Sequence, residues 1–121
     1  MKYLTIEEIV QIHDKLIEQF GGEKGIVDKG GLDFIVNKVQ SAKTEIYHKA
    51  AMLLYEIIIT HPFVDGNKRT AAAYIMAMLE DFKYRYDAFK IDRLVLKITK
   101  NNITDVKTIR RMIKNAASKN F

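Results

Sequence analysis

Apolar residues recur at the three- and four-residue spacing of an α-helix in six stretches of this chain. The first stretch opens with Thr5 and Glu8, which are spaced as a capping box, and it ends at the glycine pair 21–22. The fourth is apolar on nearly every side from Ala71 onward, so we expect it to be the buried centre of the fold. The sixth has Thr104 as its expected cap. The predicted helices cover about residues 5–20, 32–39, 46–60, 67–79, 91–98 and 106–113.

The composition favours one folded domain. A length of 121 residues lies within the usual range for a single domain, and 48% apolar content argues against disorder. With one proline and no internal repeat, we predict a single all-α domain over residues 1–121. The absence of cysteine excludes disulfides and thiolate chemistry. No apolar run approaches the ~20 residues of a membrane span, and residues 1–8 lack a signal peptide's apolar core, so we expect a soluble cytoplasmic protein.

A short loop between the third and fourth predicted helices carries the candidate chemistry. Pro62 disfavours helical dihedral angles at His61, so the third helix should end there with the histidine facing outward. Gly66 permits a sharp turn, and Asn67 is a suitable N-cap for the next helix. Phe63 has little to offer a reaction, and we expect it to anchor the loop in the core.

Two cations follow at the start of the fourth helix, where the helix dipole disfavours positive charge. Lys68 and Arg69 should each cost about 0.3–1 kcal/mol in that position if nothing else were present. A bound anion would explain both, because free backbone N–H groups would converge on it with the two side chains. Polyphosphate is the natural candidate, with Asp65 placed to hold a hard cation and His61 able to accept a proton at neutral pH.

The loop also matches a family signature. The pattern His-x-Phe-x-Asp-(Ala/Gly)-Asn-Lys-Arg is filled at every specified position, by His61, Phe63, Asp65, Gly66, Asn67, Lys68 and Arg69. This segment resembles the Doc branch of the Fic/Doc superfamily. The general Fic pattern, His-Pro-Phe-x-x-Gly-Asn-Gly-Arg-x-x-Arg, fits less well, because Lys68 replaces a glycine and Ala72 replaces the second arginine.

The resemblance extends to residues 4–13, which look like the family's opening helix, and to residues 25–33, which look like its flap and the start of its second helix. It implies a Fic/Doc-type bundle of about six helices with a short flap after the first. Without the resemblance, the glycine-rich segment 22–31 would be an ordinary helix connector. With it, residues 25–28 are expected to lie beside the loop and to hold a target chain by strand-like pairing.

The resemblance to Doc implies a kinase that uses ATP and Mg²⁺. His61 would accept the proton of a protein hydroxyl, and Asp65 would hold the magnesium. Lys68, Arg69 and the amides near Gly66 and Asn67 would stabilise phosphate charge. Doc-like proteins phosphorylate elongation factor Tu and halt translation, so a toxin is implied. One alternative is a Fic-type nucleotidyltransferase (an AMPylating enzyme), which attacks the α-phosphate instead of the γ-phosphate.

The charge is unevenly distributed. Nine basic and twelve acidic side chains give −3 in residues 1–82, whereas eleven and three give +8 in residues 83–121. Arg110, Arg111 and Lys114 can form a patch. A second alternative is therefore a non-catalytic basic module that binds nucleic acid, although we do not expect nucleic acid as the partner. The resemblance implies neutralisation by a Phd-like antitoxin, whose acidic tail would suit the basic region. His13 and His48 are expected to be structural.

Overall fold

Six α-helices dominate the architecture in the computed structural model, which describes residues 5–119. The all-α prediction is confirmed, and the flap follows the first helix as expected. Residue 4, the first of the predicted opening segment, lies outside the described range. The elements are α1 (Ile6–Phe20), α2 (Lys29–Ser41), α3 (Ile46–Thr60), α4 (Asn67–Asp81), β1 (Tyr84–Tyr86), α5 (Ala88–Lys100), α6 (Val106–Asn115) and β2 (Ala117–Lys119).

The helix α4 is the centre of the bundle, as its apolar sequence predicts. It contacts α1, α3, α5 and the strand β1, while α6 packs on α3. Tyr74, Ile75 and Leu79 of α4 are fully buried. Each buried side chain of this size contributes about 1.5–3 kcal/mol relative to exposure, so this helix holds its neighbours together.

Side-chain caps define most of the helix starts. The capping box of Thr5 and Glu8 is present at α1, and Asp28, Glu45 and Asp87 cap α2, α3 and α5. The prediction that Thr104 caps the sixth helix is wrong. The helix α6 begins at Val106, and the carboxylate of Asp105 accepts hydrogen bonds from the Lys107 amide and the Thr108 hydroxyl.

A two-stranded antiparallel sheet was not predicted. Tyr84 pairs with Lys119 and Tyr86 with Ala117, so the chain after α6 returns to the segment that follows α4. Three-residue strands are too short to show an alternating pattern in the sequence. Among the described residues, no helix is both long and apolar enough to span a membrane.

Candidate active site

The helix α3 ends at His61 because of the following proline. His61 adopts a left-handed conformation with φ of 48°, and its N–H donates to the Ile57 carbonyl as the last bond of the helix. Pro62 disfavours the helical conformation at the residue before it, which accounts for the change of direction. The His61 side chain is exposed, so its imidazole is accessible to a ligand, as predicted.

The helix α4 begins differently from the prediction. Gly66, in a left-handed conformation with φ of 76°, is its N-cap, and Asn67 is its first helical residue. The prediction that Asn67 is the cap is therefore wrong. Glycine occupies the cap because L-residues with a Cβ rarely adopt this φ.

The start of α4 retains the features of an anion site. Within residues 5–119, no side chain caps this end of the helix. Lys68 and Arg69 are exposed in its first turn. Uncapped amides, the positive end of the helix dipole and two cations together can hold a phosphate group. The predicted site residues Gly66, Lys68 and Arg69 all lie at this helix start.

An apolar cleft of about 540 Å³ opens beside this helix start, between α1, α4 and α5. Lys68 and Arg69 lie at it, and Ala72 is part of its lining. The Arg69 guanidinium lies 4.3 Å from the centre of the Phe20 ring, which is half-exposed at the end of α1. A ligand held at the α4 start therefore has apolar space next to its charged end.

The Asn67 side chain supports the loop from inside. Its Oδ1 accepts from the Phe63 N–H at 3.0 Å, and its Nδ2 donates to the Phe63 carbonyl at 2.9 Å. One donor and one acceptor of this side-chain amide are therefore used within the protein, and the main-chain N–H of Asn67 can contribute to a ligand site. Phe63 is buried, as predicted for an anchor of the loop.

Asp65 is held at two points. Its carboxylate Oδ2 accepts from the Glu23 N–H at 2.9 Å, and its carbonyl oxygen lies 2.7 Å from Nε2 of His13. The carboxylate is exposed, which leaves Oδ1 for a cation. In the described part of the chain, no three His, Asp or Glu side chains form a metal-binding group. A magnesium ion at Asp65 would therefore need phosphate and water ligands, which is how this ion is commonly held.

The flap lies along the loop, as the family resemblance implies. Ile26 and Phe63 form an antiparallel bridge, in which the Val27 N–H donates to Pro62 and the Val64 N–H donates to Gly25. On the flap, both bonds are made by the residues on either side of Ile26. The N–H and C=O of Ile26 itself therefore point away from the loop. The flap therefore pairs with the loop along one backbone edge, and its other edge is available to pair with another segment.

His13 lies against the site, where its contacts go beyond the ordinary structural role predicted from the sequence. It is 1% exposed, and its ring stacks on Phe63 with centroids 3.9 Å apart. The sequence does indicate a buried hydrogen bond, because His13 lies between Ile9 and Ile17 on the buried face of α1. A polar ring on such a face needs a hydrogen-bond partner. The partner is the Asp65 carbonyl, which sequence spacing alone does not reveal.

The basic region is only partly a free surface. The Arg110 side chain of α6 donates to the Glu45 carboxylate, so it joins α6 to the start of α3 instead of extending a patch. Lys90, Arg93 and Lys97 line a cleft between α5 and α6. They form no ion pair with another described residue.

Together, these features define an all-α protein with a helix–loop–helix site of the type that suits a phosphorylated ligand. The chain belongs to the Fic/DOC family, whose sequence profile matches residues 3–79. It is 33% identical over 76 residues to "Protein kinase doc" of Escherichia phage P1, covering 59% of this chain and 60% of that protein. It is 38% identical over 82 residues to "Toxin Doc" of Mycolicibacterium smegmatis, covering 61% and 62%. Both relatives are named Doc, and the chain spans about three fifths of the length of each.

Proposed function

We propose that this protein is a Doc-like toxin that transfers the γ-phosphoryl group of ATP to a hydroxyl of a protein. The observation that carries the proposal is the uncapped start of α4, where Lys68 and Arg69 stand in the first turn, on the loop that exposes His61. One relative is named a protein kinase and the other a toxin. Both names support this reading.

In the proposed reaction, the acceptor oxygen forms a bond to the γ-phosphorus, and the bond to the oxygen that bridges the β- and γ-phosphorus breaks. His61 takes the proton of the acceptor hydroxyl. Lys68, Arg69 and the main-chain amides of Gly66 and Asn67 hold the phosphate oxygens and stabilise their charge. The products are a phosphoprotein and ADP.

Asp65 is the proposed magnesium ligand, through the carboxylate oxygen that does not bond to Glu23. A bound magnesium ion supplies charge neutralisation between neighbouring phosphate groups. The contact of Asp65 with the Glu23 amide joins the metal carboxylate to the flap segment. This arrangement would align the acceptor with the phosphate.

The choice between γ- and α-phosphate is proposed from two residues. Ala72 lies in the cleft beside Lys68 and Arg69, at the position where Fic proteins have a second arginine. A nucleotide seated by that arginine would lose a contact here, whereas Lys68 adds a cation near the helix start. Both differences favour an ATP orientation in which the γ-phosphate, and not the α-phosphate, lies at the start of α4. The proposed reaction is therefore phosphoryl transfer. Nucleotidyl transfer remains the alternative to be excluded.

The acceptor is proposed to be a protein because of the flap and an apolar surface beside it. The outward edge of Ile26 can pair with an extended segment. Val27, Phe34 and Ile59, which we call the apolar docking surface, are 68%, 62% and 54% exposed.

The contacts between α2 and α3 bring this surface together. Lys38 contacts Glu56 at 3.5 Å and lies over the Phe34 ring, and Ile59 follows Glu56 by one helical turn. Because the Val27 N–H bonds to Pro62, the flap continues the same surface up to the loop. Exposed apolar groups at this place suit a protein partner. Elongation factor Tu is the acceptor implied by the Doc resemblance, and its phosphorylation would halt translation in the cytoplasm.

The test is incubation of the purified protein with Mg²⁺, a bacterial lysate or purified elongation factor Tu, and ATP labelled at either the γ- or the α-phosphate. Transfer of γ-label that is lost in His61→Ala supports the kinase, and transfer of α-label supports a nucleotidyltransferase. His48→Ala, which changes a histidine of α3 outside the loop, should retain activity. If neither label is transferred and His61→Ala still arrests growth, the nucleic-acid-binding alternative gains support and the enzymatic proposal is wrong.

Restraint by an antitoxin is proposed as part of the same function. A Phd-like partner with an acidic tail would complement the positive charge of residues 83–121. Its affinity should then decrease as the salt concentration rises. Affinity that is independent of salt would contradict this electrostatic picture without affecting the assignment of the reaction.

A further inference from the structure

The buried imidazole of His13 makes a contact that the proposed reaction does not use. Its Nε2 lies 2.7 Å from the carbonyl oxygen of Asp65. A carbonyl oxygen only accepts hydrogen bonds, so Nε2 is the donor in this contact. The ring is also held by stacking on Phe63, with an angle of 8° between the two planes, and the Asp14 carboxylate lies 3.2 Å from Nδ1. Because it is 1% exposed, His13 cannot touch a substrate itself.

The bonded carbonyl belongs to the peptide group that links Asp65 to Gly66. This peptide is trans, so its C=O and N–H point in opposite directions. With the carbonyl turned inward to His13, the Gly66 N–H is turned outward at the start of α4. We find no acceptor for that N–H among residues 5–119. It is thus one of the free amides from which the proposed phosphate site is built.

Gly66 makes this orientation easy to lose. Its φ of 76° lies where glycine is tolerated and most residues are strained, and glycine crosses between backbone conformations at little cost. A rotated 65–66 peptide would point its carbonyl oxygen at the anion site and repel a phosphate. That rotation would break the hydrogen bond between Nε2 of His13 and the Asp65 carbonyl, so this bond opposes it.

We infer that His13 is a positioning residue that keeps the Asp65–Gly66 peptide in the orientation that binds phosphate. The inference rests on the proposed function, because phosphate binding gives the peptide orientation its purpose. The orientation of the Asp65–Gly66 peptide itself is a property of the protein without nucleotide. It also explains why a polar ring lies in the apolar stripe of α1 between Ile9 and Ile17.

The experiment compares the wild type with His13→Phe, which keeps the stacked ring and removes the donor, and with His13→Gln, which restores a donor. Residual dipolar couplings of the Gly66 amide report the direction of its N–H without any nucleotide. We expect the coupling to change in His13→Phe and to return towards the wild-type value in His13→Gln. The same coupling in wild type and His13→Phe would overturn the inference. Should His13→Phe not fold, a wild-type coupling in His13→Gln supports the inference, and an altered coupling overturns it.

Titration with MgATP then tests the consequence. His13→Phe should bind MgATP at least about tenfold more weakly, because a preorganised donor at a developing or bound oxyanion is worth that much or more. His13→Gln should recover most of the affinity, which a loss of general stability would not predict. The matched control is His48→Phe, which should bind as the wild type does. If the wild type binds no MgATP, the proposed function fails, while the dipolar couplings still decide the role of His13.

Discussion

The side-chain amide of Asn67 makes two hydrogen bonds to the backbone of Phe63, one to its N–H and one to its carbonyl. On its other edge, Phe63 faces Ile26 of the flap. The amide group therefore occupies the position that a neighbouring strand would take. A residue in the first turn of α4 thus determines the path of the loop that precedes it, and it links the anion site to the flap.

Asn67→Ala should destabilise the protein and impair the site together. Two partly buried backbone groups of Phe63 would lose their partners, and leaving such groups unsatisfied costs about 1–3 kcal/mol. Urea unfolding should show that decrease in the free energy of unfolding, and MgATP affinity should fall with it. Asn101→Ala removes a comparable amide at the exposed end of α5 and serves as the control. If Asn67→Ala leaves stability unchanged, the loop does not depend on these two bonds.

Asp65→Asn should separate the structural and the metal-binding roles of this residue. An amide oxygen can still accept from the Glu23 N–H, so the free energy of unfolding should stay within about 0.5 kcal/mol of the wild type. The loss of a negative charge should remove most of the Mg²⁺ dependence of ATP binding, since hard cations prefer carboxylates. Calorimetric titrations with ATP in the presence and absence of Mg²⁺ measure the effect. An unchanged Mg²⁺ dependence would contradict the assignment of Asp65.

The helices could be predicted because their information is local. Apolar spacing identified all six, and Thr5 with Glu8 identified the first start. The caps at α4 and α6 were missed by one residue, because neighbouring residues such as Thr104 and Asp105 are both good caps. The sequence does not show which of the two immediately precedes the first helical residue.

The residues of the candidate site could be predicted from the sequence, but the hydrogen bonds that connect them to the rest of the protein could not. Glycine, cations and a proline-terminated helix indicated where the loop turns and where an anion could bind. The partners of Asp65, by contrast, come from α1 and the flap, 52 and 42 residues away along the chain. Contacts over such separations leave no periodic signal, and only the fold reveals them.

Phe34→Ser and Ile59→Ser should weaken recognition of a protein acceptor without affecting the nucleotide. Both side chains are more than half exposed, so their replacement should change stability by no more than about 0.5 kcal/mol. We expect the KM for the protein acceptor to increase about tenfold in the double variant, because the apolar docking surface would lose its two helix-borne anchors. MgATP affinity should remain that of the wild type. The control is Phe89→Ser, a 67% exposed aromatic on α5, which should leave this KM unchanged. An unchanged KM in the double variant would show that the acceptor docks elsewhere.

The ion pair between Glu45 and Arg110 should make stability depend on pH in the acid range. Burial alone would raise the pKa of Glu45, but the His48 amide and the Arg110 guanidinium outweigh it and lower this pKa below its ordinary value of 4.5. A lowered pKa in the folded state stabilises the protein above the unfolded-state pKa, and the stabilisation is lost as the pH falls through the folded-state value. The wild type should therefore lose up to about 1 kcal/mol more than Glu45→Gln between pH 6 and 3, given the partial exposure of the pair. Urea unfolding at several pH values measures the two slopes, and Arg110→Gln should reduce the wild-type slope as well. Equal slopes in all three proteins would mean that this pair does not connect α6 to the start of α3 in solution.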